Sequence, residues 1–287
     1  MKDYLSTRID LRWSLADGTR MYAWRSDPED AQQVQGVVGI VHGMGEHSGR
    51  YEHVAAYLNH AGYAVITFDQ RGHGRTVGDR GHTPSYDALL EGIDRLVQEA
   101  DHYYPGLPFF LYGHSMGGNT TLNYLLRRRP QIAGAVVSGP WLELAFKPPL
   151  HQLAAARVAS VLYPTYTSQR PMKAEDLTAD LDMQKRYLED PLGHGQITAG
   201  FFCGVQKAGL WALANATRLQ VPLLLMHGGA DQVTSIAASR RFAERAGELC
   251  EFMEWPGMKH ELHNETDRSI VSEAVLKWLN GRLQRHS

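Results

Sequence analysis

The apolar positions of this chain fall into two kinds of run. Short continuous stretches recur at Val37 to Val41, Ala64 to Phe68, Phe109 to Tyr112, Ile132 to Ser138 and Val221 to Met226. Each has a strand's length and lacks polar alternation, the mark of a strand covered on both faces. Between them lie helical spacings: Tyr51 to Ala61, Tyr86 to Tyr103 with Leu89, Ile93, Leu96, Val97 and Ala100 on one face, and a stretch beyond Ser115 that stops at Arg129, before Pro130. A helix over Ile236 to Ala246, a short strand from Glu251 to Trp255 and a helix from Thr266 to Leu283 close the chain. The last carries Ile270, Val271, Ala274, Val275, Trp278 and Leu279 on its apolar face. At the other end residues 6–26 alternate loosely, and Asp17-Gly18 in their middle signals a hairpin, followed by a polar loop from Asp27 to Gln35.

Strand and helix in alternation require a mostly parallel sheet with helices on both faces. The alternation breaks from Gly139 to Gln220, where short amphipathic segments are interrupted by prolines at 148, 149, 164, 171 and 191. It resumes at Val221. Residues 1–287 are therefore expected to form a single α/β domain, with 141–220 a helical cap inserted between core strands. The cap is expected over the C-terminal edge of the sheet, where open α/β sheets bind ligands. Its apolar side chains include Trp141, Leu142, Leu144, Phe146, Val158, Val161, Leu162, Phe201, Phe202, Val205, Leu210 and Trp211. A small excursion cannot bury all of them within itself, so part should line an apolar pocket. Any that stay exposed would serve for transient contact with a membrane or micelle surface.

With 287 residues, 43% hydrophobic and 21% charged, the chain can bury a full core and has the composition of a soluble globular protein. A net charge of −2 offers no basic footprint, so no nucleic-acid partner is expected. The two cysteines, Cys203 and Cys250, make neither a disulfide framework nor a paired metal motif, and a reduced chain is expected. No apolar leader opens the sequence and no run reaches the length of a membrane span. The expected location is cytoplasmic, with peripheral contact at a membrane.

The candidate chemistry sits at strand ends. Phe109 to Tyr112 runs into Gly113-His114-Ser115-Met116-Gly117, a G-x-S-x-G between a buried strand and a helix, which is the context of a nucleophile elbow. Glycines on either side of a sharp strand-to-helix reversal let the two elements approach, and Ser115 at the apex takes strained backbone geometry at a helix N-terminus. Gly113 to Thr120 also falls one residue short of the phosphate-binding G-x-x-x-x-G-K-[ST], but Asn119 holds the lysine position and the nucleotide reading fails. A serine hydroxyl needs a base to take its proton and a third group to orient that base. Asp231, just after the strand Val221 to Met226, and His260, just past the last short strand, supply both in the order Ser, Asp, His. Glu143 competes as the acid and His263 as the base. His260-Glu261-Leu262-His263 is one residue short of H-E-x-x-H and has no third ligand nearby, so no metal and no cofactor is expected. The backbone N–H groups of Met116 and of Met44, in His42-Gly43-Met44-Gly45, suit a developing oxyanion.

His42-Gly-Met-Gly-Glu46-His47-Ser-Gly-Arg-Tyr51, Asp69-Gln-Arg-Gly-His-Gly-Arg75, Gly113-His-Ser-Met-Gly-Gly118, His227-Gly-Gly-Ala-Asp231-Gln-Val233 and the His260 segment together resemble the monoacylglycerol lipase and lysophospholipase family of serine α/β-hydrolases. The likeness runs from the first hairpin to the last helix. It implies the α/β-hydrolase fold, with Ser115 as nucleophile, Asp231 as orienting acid, His260 as base, and Met44 and Met116 as oxyanion donors. It also implies cleavage of a single-chain lipid ester, most simply monoacylglycerol to glycerol and free fatty acid, through an acyl-serine. Asp190-Pro-Leu-Gly-His194 resembles a segment of the family's cap, while Glu46, His47, Asp69 and Arg71 are expected to brace the loops. Lysophospholipase, short-chain carboxylesterase and thioesterase activities use the same machinery. A proline-type aminopeptidase shares it too, but would be expected to carry His-Gly-Gly-Pro-Gly where this chain has His42-Gly-Met-Gly-Glu46. A non-catalytic lipid-binding homologue is the alternative of a different class, and the complete set Ser115, Asp231 and His260 opposes it.

Overall fold

The computed structural model describes residues 7–30 and 34–284. Residues 1–6 and positions 31–33 of the polar loop lie outside the described residues. In chain order the elements are β1 (Thr7–Ser14), β2 (Arg20–Asp27), β3 (Gly36–Val41), α1 (Glu52–His60), β4 (Tyr63–Phe68), α2 (Asp87–Tyr103), β5 (Phe109–His114), α3 (Ser115–Arg128) and β6 (Gly134–Ser138). Then come α4 (Leu150–Leu162), β7 (Thr167–Gln169), α5 (Ala174–Leu177), α6 (Leu181–Glu189), β8 (Gln196–Thr198) and α7 (Ala199–Ala214). The chain closes with β9 (Leu223–Gly228), α8 (Ile236–Ala246), β10 (Cys250–Trp255) and α9 (Arg268–Leu283).

Eight of these strands form one sheet in the order β1-β2-β4-β3-β5-β6-β9-β10. The hairpin β1–β2 and the pairing β2–β4 are antiparallel; every other pairing is parallel. Every residue of β3, β4, β6 and β9 is buried. That is the physical origin of the unbroken apolar runs: helices cover both faces, so neither parity of side chain meets water. Successive residues feed opposite layers. Val37, Leu111, Val137 and Leu225 pack with α2, α3 and α8, whereas Val38, Phe110, Val136 and Leu224 pack with α1 and α9.

Two details depart from the sequence pattern. In α9 the buried set is Val271, Val275, Trp278 and Leu279, while Ile270 is half exposed. The buried positions lie at i, i+4, i+7 and i+8, and Ile270 sits one residue off that stripe in the first turn. Between β6 and β9 the chain forms four α-helices and a two-stranded antiparallel ribbon, β7–β8, that the hydrophobic pattern does not reveal. Three residues are too few for any periodicity to show. Nor are all the segments short, since α7 runs 16 residues.

Candidate active site

The strand β5 reverses directly into α3, and Ser115 at the junction has φ +53°, a left-handed conformation that a non-glycine residue adopts only when its surroundings impose it. The surroundings are tight. A Cβ on Gly113 would meet Thr121, and one on Gly117 would run into the Val41 and His42 carbonyls of the neighbouring strand end. The flanking glycines are therefore a packing requirement, and Ser115 projects from the C-terminal edge of the sheet.

Asp231 follows β9 and His260 follows β10, so parallel pairing carries both to the edge that holds Ser115. His260 Nδ1 lies 2.7 Å from Asp231 Oδ2, and His260 Nε2 lies 2.9 Å from Ser115 Oγ. A carboxylate only accepts, so Nδ1 carries the proton and donates it to Asp231; Nε2 is then free to accept from the Ser115 hydroxyl. All three residues are buried. Burial opposes the charge of Asp231, but His260 and the hydrogen bonds from His227 and His260 hold its carboxyl far below the ordinary range. Burial alone would lower His260; the Asp231 carboxylate overrides that, and the net shift is upward from 6.5.

The rivals are placed elsewhere. Glu143 turns to the surface and pairs with Arg241 at 2.5 Å. His263 is buried and stacks on Tyr51, with ring centroids 4.7 Å apart. Burial, followed by the neighbouring His114, pushes His263 well below its ordinary value, and burial and then His260 do the same to His114. Of these three adjacent imidazoles, only the one facing a carboxylate is shifted upward.

Met116 lies in the first turn of α3, where backbone N–H groups lack intrahelical acceptors. Met44 lies in the loop after β3 and lines the same cavity as Ser115. That loop is held from several sides. Glu46 accepts from the Gly43 N–H and from the Tyr51 hydroxyl, the latter at 2.8 Å. Asp69 accepts from the Ser48 N–H (2.8 Å) and hydroxyl (2.6 Å) and from the Arg75 N–H (2.7 Å). His47 Nε2 meets Asp190 at 2.8 Å, and Arg71 pairs with Asp17 at 2.8 Å. These are the bracing contacts expected of the four polar residues. His194, the last residue of the Asp190–His194 segment, adds a further tie: its N–H donates to the Gly45 carbonyl at 2.8 Å, joining the segment before β8 to this loop.

Ser115 opens on a cavity of about 620 Å³. Its lining is mainly apolar, with Leu144, Leu153, Ala156, Ala159, Met172, Ile197 and Phe202, and it includes the polar side chains of Gln152, Ser168, Arg170, Tyr187, His194 and Gln196. Sequence reasoning missed Thr234 and His227 beside Asp231. Thr234 Oγ1 lies 2.8 Å from Asp231 Oδ2, and His227 Nε2 lies 3.1 Å from the same oxygen. His227 stood inside a quoted motif, so a signal existed for it; Thr234 had none.

Residues 32–267 match the family model described as serine aminopeptidase, S33. The chain is 32% identical to a monoacylglycerol lipase of Mycolicibacterium smegmatis over 97% of its own length and 99% of that protein's. It is also 32% identical, over 86% of its length, to an uncharacterised abhydrolase domain-containing protein of Dictyostelium discoideum, of which the match spans only 26%. Among solved structures, Paleococcus ferrophilus monoacylglycerol lipase superposes with a TM-score of 0.83 at 34% identity, covering 91% of this chain and 99% of that one. The fold, the matched family model and the relatives aligned along nearly their whole length agree with the motifs: this chain belongs to the monoacylglycerol lipase family of serine α/β-hydrolases.

Proposed function

We propose that this protein hydrolyses monoacylglycerol to glycerol and free fatty acid, with Ser115 as nucleophile, His260 as base and Asp231 as the acid that orients it. The observation that carries this reading is the hydrogen-bonded line Ser115–His260–Asp231 opening on a cavity whose lining is mainly apolar with a few polar side chains. Ser115 Oγ attacks the ester carbonyl carbon as its proton passes to His260 Nε2. The oxyanion is met by the Met44 and Met116 N–H groups. Collapse expels the glycerol oxygen, which takes the proton from His260 and leaves an acyl-serine; water then repeats the sequence and frees the acid. The segment between β6 and β9 acts as the cap. The acyl chain lies along Leu153, Ala156, Ala159 and Phe202, and the glycerol end lies towards the ribbon.

The cap also offers a face for lipid surfaces. No residue of α4 is buried, and Leu150, Val161 and Leu162 point outward, with Leu150 84% exposed. No helix among the described residues is long and apolar enough to cross a membrane, so contact through α4 would be peripheral. The peptidase named in the family model's description is disfavoured by the loop His42-Gly-Met-Gly-Glu46.

The test is a substrate panel of monoacylglycerols from butyryl to stearoyl, a lysophospholipid, a short p-nitrophenyl ester and a prolyl anilide. Monoacylglycerols should give the highest kcat/KM. It should rise with chain length until the cavity fills, each methylene contributing at most about 0.8 kcal/mol. A profile flat from butyryl onward would make the protein a short-chain carboxylesterase instead.

A further inference from the structure

Asp231 touches two imidazoles. His260 is one; the other is His227, the fifth residue of β9 and fully buried. Its Nε2 faces two acceptors, Asp231 Oδ2 at 3.1 Å and the Thr234 carbonyl at 3.2 Å. Neither can donate, so Nε2 carries its proton and shares it between them. At the far end of the ring, Nδ1 lies 2.8 Å from the hydroxyl of Ser239 on α8, itself fully buried. A hydroxyl can donate, which leaves Nδ1 as the acceptor and fixes the tautomer.

Asp231 Oδ2 consequently receives from three directions: His260 Nδ1 at 2.7 Å, the Thr234 hydroxyl at 2.8 Å and His227. Oδ1 is taken by the Val233 and Thr234 N–H groups, at 2.7 and 3.0 Å. Each donor withdraws part of the carboxylate's charge from the oxygen that faces His260. We infer that His227, its tautomer set by Ser239, is a positioning residue that holds Asp231 Oδ2 and restrains how strongly that carboxylate raises the basicity of His260. The inference rests on the proposed assignment of Ser115, His260 and Asp231.

Other groups also face His260. Glu46 and Glu261 add negative charge, and each is paired with Arg50, at 3.6 and 2.7 Å. The His114 ring stands 4.8 Å away and His263 lies behind it, both pushed down by burial. Lys259 turns its ammonium outward to the Glu175 carbonyl. On the neighbouring strand Glu254 lies beside His227 in register but pairs outward with Arg240 at 2.6 Å. None of these groups is a hydrogen-bond partner of His227, so a shift in the titration of His260 on changing His227 is read as a change at the Asp231 oxygen.

The experiment compares His227→Leu with His227→Gln, whose side-chain amide restores an N–H donor. The readout is the acid limb of kcat/KM on a soluble p-nitrophenyl ester, repeated as the pH dependence of inactivation by a fluorophosphonate. Neither limb depends on how much of the preparation is folded. Freed of one donor, Asp231 should stabilise imidazolium more, moving the limb of His227→Leu upward by about half a pH unit or more, while His227→Gln stays within about 0.2 unit of wild type. In His227→Leu the Ser239 hydroxyl can turn to its own helix backbone, which avoids a second buried orphan. If leucine does not fold, His227→Met takes its place with the same expected shift. An unmoved limb in the apolar variant overturns the inference, as does a glutamine variant that shifts as far as the leucine one. Ser115→Ala separates the two levels. Activity surviving in Ser115→Ala sinks the underlying assignment, whereas an inactive Ser115→Ala beside an unmoved His227→Leu limb sinks only the role of His227.

Discussion

Helices α4 and α7 belong to the same excursion, pack against each other, and are both rich in apolar residues, yet they meet opposite fates. α7 buries Phe201, Val205, Ala208, Gly209, Ala212 and Leu213; α4 buries nothing. The difference lies in what each rests on. α7 lies on α3, the helix that begins with Ser115. Asn119 of α3 donates to the Trp141 and Val205 carbonyls at 2.7 and 3.2 Å, and Asn123 donates to the Ala208 carbonyl at 3.1 Å. Gly209 lets α7 also approach the chain after β6 closely, because a Cβ there would strike the Leu142 carbonyl. Apart from α7, α4 has the cavity beneath it, towards which it turns Leu153, Ala155, Ala156 and Ala159, and water outside. Apolar content says that a helix will seek cover, but not whether the cover is core, substrate or a lipid surface.

The strongest way to break this contrast is at the anchored end. Ser115→Ala should lower kcat/KM by about 10³ or more, and His260→Ala should fall nearly as far, with unfolding curves unchanged for the serine variant. His263→Phe, which keeps a ring against Tyr51, should stay within about tenfold of wild type, since the neighbouring imidazole has no part in the proton transfer. Reversal of the two histidine results would return the base to His263.

Next comes the seam between α3 and α7. Asn119→Ala removes the donor to two carbonyls and the acceptor of the Tyr86 hydroxyl, a 2.6 Å bond, and should cost about 2–3 kcal/mol in urea unfolding. A loss no greater than that of a surface change would mean α7 is held by apolar contact alone.

The pH profile is a smaller lever on the same site. His260 is shifted upward from 6.5, and its imidazolium cannot take the Ser115 proton. Activity is therefore fully present above that raised value and should fall about tenfold for each unit of pH below it. An acid limb below the ordinary histidine value would contradict the Asp231–His260 coupling.

The smallest effect on stability belongs to α4. Leu150→Ser and Val161→Ser, both outward-facing, should change unfolding free energy by no more than about 0.5 kcal/mol each. The pair should leave turnover of a water-soluble ester intact and reduce the fraction bound to phosphatidylcholine vesicles. Unchanged vesicle binding would leave α4 a lid without a foot.

Much of the site was legible in the chain because its parts are local. A buried strand, two glycines and a serine specify a sharp reversal whatever lies around it, and Ser115 at φ +53° is that reversal. Unbroken apolar runs specify strands covered on both sides, and alternation with helices specifies parallel pairing, which sends the C-terminal ends of β3, β4, β5, β6, β9 and β10, with Asp231 and His260 behind the last two, to one edge. These follow from periods of two and 3.6 residues and from chain connectivity.

Choices among equivalent side chains were decided only in three dimensions. His260 and His263 are three residues apart and chemically identical; one ring faces Asp231 Oδ2 at 2.7 Å and the other a tyrosine. Glu143 and Asp231 both follow core strands, and an arginine on α8 draws the first away. The apolar residues of 141–220 divide in the same manner: Phe201 into the core, Phe202 to the cavity wall, Val161 to solvent. Hydrophobicity and charge are properties a residue brings with it. Which neighbour satisfies them depends on contacts between segments far apart along the chain, and those exist only once the sheet has brought its loops together.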